Sequence, residues 1–266
     1  MATNETMISS KTNARVKQLR GAFSGNIRLS EGLVAIEGDH LLEEAIRSGV
    51  TLKTVFIGGR KPVPHDLPRE TELLRLTDDT FVSAVETSSP QGIAALMVPP
   101  VHRFEDLLKD SASLIVVVCG LQDPGNLGAL IRSAEAFGAT GVLTTPKTVN
   151  PWNQKALRSS AGSTFRVPVV AGTLEQVRDL KKKHKVQLLA AVGSEGPGVM
   201  AAHDVDLRGG CAVMIGNEGS GLTEEWIDIA DGRVTIPCPG PVESLNAAVA
   251  GSLLLYEASR QRSASK

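Results

Sequence analysis

Residues 213–222 read Val213-Met214-Ile215-Gly216-Asn217-Glu218-Gly219-Ser220-Gly221-Leu222, an apolar run entering a glycine-rich turn ahead of a helical pattern. An apolar run without alternation fits a strand buried on both faces, as in a parallel sheet covered by helices. The turn places glycine where the backbone must take positive φ or approach another segment closely. Gly216, Gly219 and Gly221 are spaced G-x-x-G-x-G, the reverse of the dinucleotide fingerprint, and they come too late for an opening mononucleotide fold. The Gly-Lys-Ser/Thr ending of a phosphate loop is also missing.

Working outward, similar strands are predicted at Leu114–Cys119, Gly141–Thr144, Arg166–Val170, Gln187–Val192, Ala212–Ile215 and Arg233–Ile236, with helical patterns between them. This alternation predicts a mainly parallel sheet with both faces covered. Pro99-Pro100 disfavours regular structure and marks a boundary. We therefore expect one domain over 1–100, a linker over 101–110 and a second domain over 111–266. The first is also α/β. It begins with a short basic helix over 11–22 and continues with strands at 33–36, 52–57, near 73 and at 93–98, and with helices near 41–46 and 78–85.

Two other segments share the strand, turn and helix context. In Asp123-Pro124-Gly125-Asn126-Leu127-Gly128 the turn opens a helix whose apolar face is Leu127, Leu130, Ile131, Ala134 and Phe137, with Arg132 off that stripe. Asn126 has the chemistry of an N-cap there, and Arg132 that of a solvated helix residue. In Ile236-Pro237-Cys238-Pro239-Gly240-Pro241-Val242-Glu243-Ser244-Leu245-Asn246 three prolines stiffen a loop leading to the last helix. Ser244 could be its cap, and Leu245, Val249, Leu253 and Tyr256 share one face of that helix.

The 266 residues carry 28 Lys and Arg against 29 Asp and Glu, a formal net charge of −1, so a nucleic-acid partner requires a local basic patch. Lys11, Arg15, Lys17, Arg20 and Arg28 gather near the start. Lys181, Lys182, Lys183 and Lys185 read as a helix end whose cations complement its dipole. No stretch is apolar enough to span a membrane, and no secretory leader is evident, so we expect a soluble, cytoplasmic protein. Cys119, Cys211 and Cys238 lack paired spacing, and the five histidines are scattered, so no metal is expected.

Together, in order and in context, the three segments resemble the signature motifs of the SpoU/TrmH RNA 2′-O-ribose methyltransferases, over roughly residues 111–262. The first domain looks like the family's ribosomal-protein-like RNA-binding domain. The resemblance implies an α/β protein whose carboxy-terminal parallel-sheet domain is tied in a deep trefoil knot, beside a smaller α/β RNA-binding domain. It implies S-adenosylmethionine as methyl donor, held by loops over 189–193, 214–219 and 236–246. Leu189, Ala191, Gly193, Met214, Gly216, Asn217, Gly219, Ile236, Pro237, Ser244, Leu245 and Asn246 would contact the donor. Asn126, Arg132, Glu218, Ser244 and Asn246 would form the catalytic group. A homodimer through the knotted domains is expected, with the last helix in the interface. The RNA expected is ribosomal in preference to transfer RNA, and Arg158, Ser160 and Gly162 would lie where relatives approach RNA, although a plain helix end fits them nearly as well.

Arg132 is the family's candidate proton acceptor, but a guanidinium is always protonated, so orienting a phosphate or stabilising an alkoxide suits it better. Three rivals remain. A non-catalytic RNA-binding relative would bind the donor weakly, a base methyltransferase would lack this Asn, Arg, Glu and Ser-Leu-Asn set, and a dehydrogenase would need an early G-x-G-x-x-G turn.

Overall fold

The computed structural model describes residues 6–108, 112–193, 196–241 and 244–264. Residues 109–111, at the end of the expected linker, and 242–243, within the expected donor loop, lie outside the described residues. The chain divides into two compact units. One comprises residues up to 101 together with Trp152–Phe165, and the other runs from His102 to Pro151 and from Arg166 onward.

The first unit contains strands β1 (Thr6–Ile8), β2 (Val34–Glu37), β3 (Leu52–Gly58), β4 (Glu72–Leu76) and β5 (Ile93–Met97), with helices α1 (Ala14–Phe23), α2 (Ile27–Ser30), α3 (Asp39–Arg47) and α4 (Asp78–Ala84). The sheet order is β1-β4-β3-β5-β2. β5 pairs antiparallel with both β2 and β3, and the remaining pairs are parallel. Apolar residues on alternate positions fill two cores, one under α1 and α4, the other under α3. The helix Gln154–Ser160 joins the second of these through Leu157, with Trp152 and Phe165 packed there too. Ala161 at φ 48° and Gly162 at φ 86° end that helix, and a Cβ on Gly162 would stand 2.6 Å from the Glu44 Cβ.

The second unit has helices Pro124–Ala136, Leu174–His184, Glu224–Ile229 and Ala247–Ser263. Its strands are β6 (Leu114–Val118), β7 (Gly141–Thr144), β8 (Val169–Ala171), β9 (Gln187–Ala191), β10 (Val199–Ala201), β11 (Cys211–Ile215) and β12 (Gly232–Thr235).

 All of them are parallel, in the order β10-β12-β9-β11-β6-β7-β8. Leu114, Val116 and Val118 of β6 and Cys211, Val213 and Ile215 of β11 face a core shared with the Pro124–Ala136 and Ala247–Ser263 helices. Ile115, Val117, Ala212 and Met214 face the other core, beneath the Leu174–His184 and Glu224–Ile229 helices. Both faces are therefore covered, which is why these strands read as unbroken apolar runs.

Three local expectations differ. β8 begins at Val169, after the predicted start at Arg166, because Pro168 offers no backbone donor for the ladder. The edge strands β1 and β10 are new, each only three residues long and too short to show alternation. Part of the expected linker is ordered, since Phe104–Leu107 forms a 3₁₀ turn with Leu107 fully buried in the second unit.

Candidate active site

β12, β9, β11 and β6 are neighbours and parallel, so the turns leaving them emerge at one edge of the sheet. In open parallel sheets ligands bind at that carboxyl edge, where strand order reverses. The turn after β11 is closed by reciprocal backbone bonds between Asn217 and Gly221, of 3.0 and 2.9 Å. This closure brings Gly216 so near the returning chain that a Cβ there would stand 2.2 Å from the Gly221 carbonyl carbon. Asn217 Oδ1 accepts from the Gly219 and Ser220 amides at 2.9 and 3.3 Å, while its Nδ2 donates to the Gly120 carbonyl at 3.0 Å. One side chain thus shapes its own turn and fastens it to the turn after β6.

A second set of bonds joins the three motif segments. Asn246 is the N-cap of the last helix, and its Oδ1 accepts from the Ala248 and Val249 amides at 2.9 and 3.2 Å. With that oxygen engaged by donors, its Nδ2 is free to donate to Asn126 Oδ1 at 3.0 Å. Asn126 in turn donates from Nδ2 to Glu218 Oε1 at 3.1 Å. The order of donors and acceptors is therefore set at both ends, by helix amides on one side and a carboxylate on the other. Glu218 also accepts from the amides of Asp123 and Gln122, at 3.0 and 3.3 Å. Its partial burial favours the neutral acid, but these donors outweigh that effect, and the carboxyl titrates below its ordinary value.

Beside this relay lies a cleft of about 320 Å³, within the ~300–1,000 Å³ usual for small-molecule sites. Ala191, Gly193, Gly216, Asn217, Glu218, Gly219, Ile236, Ser244 and Leu245 line it, all residues singled out from the sequence. Leu189 and Met214 do not, because both lie within strands and are fully buried. Pro237, Asn126 and Asn246 are also absent from the lining, and the two asparagines connect to it through Glu218. Arg132 is exposed, has no hydrogen bond or ion pair with any described residue, and does not line the cleft. It sits six residues beyond Asn126, about 9 Å farther along the helix.

Sequence reasoning missed several residues. Asp123, not Asn126, is the N-cap of the Pro124–Ala136 helix, its carboxylate accepting from the Asn126 amide at 2.8 Å. That leaves the Asn126 side chain available to the relay. Thr235, Cys238, Ala247, Ala250 and Leu254 also line the cleft. Ala247, Ala250 and Leu254 recur at helical spacing, a signal hidden by the more apolar stripe of Val249, Leu253 and Tyr256. That stripe proves to be 47, 42 and 52 % exposed.

The glycine turn, apolar walls and exposed backbone suit a flat ring and a polar tail, and the ionised Glu218 suits a nearby cation. Comparison with known proteins places this geometry in context. Residues 113–256 match the SpoU rRNA methylase family, and residues 13–95 match an MRM3-like substrate binding domain. The chain is 32 % identical over 249 residues to the 23S rRNA (guanosine(2553)-2′-O)-methyltransferase RlmP of Bacillus subtilis, covering 94 % of this chain and 97 % of that one. It is 29 % identical to the 23S rRNA (uridine(2479)-2′-O)-methyltransferase of Streptomyces viridochromogenes, covering 94 % and 91 %. Among solved structures, the SpoU methyltransferase AviRb from Streptomyces viridochromogenes in complex with AdoMet is similar with a TM-score of 0.84. That match has 28 % identity and covers 94 % of this chain and 98 % of that one.

Proposed function

The chain belongs to the SpoU methylase family, and from that premise we propose that it transfers a methyl group from S-adenosylmethionine to a ribose 2′-hydroxyl of ribosomal RNA. The observation that carries this reading is the relay from Asn246 through Asn126 to Glu218, which fastens three distant turns around one cleft. The names of the relatives favour ribosomal over transfer RNA.

The donor, when bound, supplies an electrophilic methyl carbon on a sulfonium. The walls formed by Ile236, Leu245 and Leu254 would hold its ring, and the backbone of Gly216 and Gly219 would lie against it. Asn126 and Asn246 keep the cleft in one shape, so the ribose oxygen meets a prearranged site. Glu218 contributes negative charge near a cationic ligand and stays ionised at neutral pH. Arg132, without a partner among the described residues, would orient the RNA or stabilise the developing alkoxide rather than take a proton.

The insertion of β11 between β6 and β9, followed by the return of the last helix against the Pro124–Ala136 helix, supports a carboxy-terminal trefoil knot. The mixed α/β sheet of the first unit is consistent with a ribosomal-protein-like RNA-binding domain, the first of three parts with a short linker near 101–110. The exposed stripe on the last helix supports a homodimer. Action on ribosomal RNA supports a cytoplasmic location; no helix among the described residues is long and apolar enough to cross a membrane.

Mapping alkali-resistant linkages in total RNA tests the function, because a methylated 2′-oxygen cannot attack its neighbouring phosphate. One resistant position in ribosomal RNA should disappear when the protein is absent and return on complementation. An unchanged map, or no calorimetric heat with S-adenosylmethionine, would reject the reading.

A further inference from the structure

The first unit holds a polar cleft of about 490 Å³ that the chemistry above does not use. One wall is the loop carrying Glu86, Thr87, Ser88 and Ser89, and the other is the Gln154–Ser160 helix, which contributes Gln154 and Arg158. Both walls are fastened to the same strand, β2. The loop is held by Glu37, 7 % exposed, whose carboxylate accepts from Thr87 Oγ1 at 2.7 Å and from the Gln91 amide at 3.0 Å. The helix is held by Gln154, whose Nε2 donates to the Ala35 carbonyl at 2.8 Å.

What this rigid frame presents is an unsatisfied set of donors. Arg158 is exposed and its guanidinium has no partner among the described residues, and the same holds for the Ser88 and Ser89 hydroxyls. Of the arginines on the amino-terminal helix of the same unit, Arg15 is committed to Glu72 and Arg20 to Ser83. A guanidinium beside hydroxyl donors matches a phosphoryl group, to which arginine can donate two parallel bonds. The charge narrows the choice further. One arginine balances the single negative charge of a phosphodiester, whereas Glu86 in the same cleft disfavours a terminal phosphate dianion.

We propose that this cleft is a subsite for one backbone phosphate of the RNA substrate, with Arg158 as the charged contact and Ser88 and Ser89 as supporting donors. It deepens the methyltransferase reading and rests on it for the identity of the RNA. Glu37 is a positioning residue that holds the loop. The segment bearing Arg158 follows the Asn126 motif in the chain yet belongs to the first unit, so both stretches of that unit would serve RNA binding.

The test compares the full-length protein with Arg158→Gln and Arg158→Lys, using a ribosomal RNA transcript. Filter binding across salt concentrations, steady-state methylation and calorimetry with S-adenosylmethionine are the readouts. For Arg158→Gln we expect the KM and Kd for RNA to rise roughly tenfold, as for loss of a charged hydrogen bond. The slope of log affinity against log salt should flatten by roughly 0.7–0.9, the share of one phosphate. Saturating kcat and donor affinity should stay at wild-type values, and Arg158→Lys should recover part of the binding. Unchanged RNA affinity, or a loss with an unchanged salt slope, would overturn the subsite. If the wild-type protein binds the transcript through Arg158 but transfers no methyl group, the methyltransferase reading fails and the subsite stands.

Discussion

Asn126, Glu218 and Asn246 show how far a motif carries at the scale of single residues. That the motifs carrying them belong together was legible, but not the connection of these side chains, since the bonded pairs lie 92 and 120 positions apart. The sequence suggested a helix cap for Asn126, and the structure gives that task to Asp123. Asn126→Ala should therefore remove the link between two turns at small cost in stability, about 1 kcal/mol, while turnover falls at least tenfold; normal turnover with a large loss of melting temperature would refute its place in the relay. Glu218 gives a pH-dependent counterpart. Its folded-state carboxyl titrates below the ordinary value of 4.5, so the stability it contributes is fully present above that value and is lost as pH falls through the depressed one. Wild type should be more stable than Glu218→Gln at pH 7, with the difference shrinking below about pH 4.5. A difference independent of pH would show that shape, not charge, is what the carboxylate supplies. Arg132→Ala should abolish methylation and leave calorimetric donor binding nearly intact, because Arg132 stands outside the cleft.

At the scale of elements, the central strands were readable because burial on both faces leaves continuous apolar sequence, as in Leu114–Val118 and Cys211–Ile215. The last helix was read only in part. Its most apolar stripe faces outward, while the face against the core is made of Ala248, Gly251, Leu254, Leu255 and Ala258. Small residues there let the helix approach the Pro124–Ala136 helix, and a Cβ on Gly251 would stand 2.5 Å from Leu130 Cδ1. Leu130 is fully buried and has little room to give way. Gly251→Val should cost about 1–3 kcal/mol through overpacking. It should also lower kcat more than Asn246's distance along the chain would suggest, since Asn246 caps this helix and bonds Asn126 on the other. Thermal melts and initial rates on the same preparation would check both effects, and an unchanged rate in a destabilised variant would uncouple helix packing from the site.

For the whole molecule, the sequence divided the chain at the double proline, and that division could not reveal that Trp152–Phe165 return to the first unit. Leu157 and Phe165 are ordinary apolar residues, and nothing local distinguishes one core from another. The exposed stripe of Val249, Leu253 and Tyr256 poses the corresponding question outside the chain. Apolar residues of this size, about half exposed and aligned on one helix, form a patch of the kind that marks an interaction site. If they form the proposed dimer interface, light scattering should give twice the 28.0 kDa of one chain. Leu253→Glu with Tyr256→Glu should then shift the mass to one chain without unfolding it, since neither side chain is in the core, as far-ultraviolet circular dichroism would verify. A single-chain mass for the wild type at assay concentrations would remove the dimer from the reading while leaving the cleft and its relay untouched.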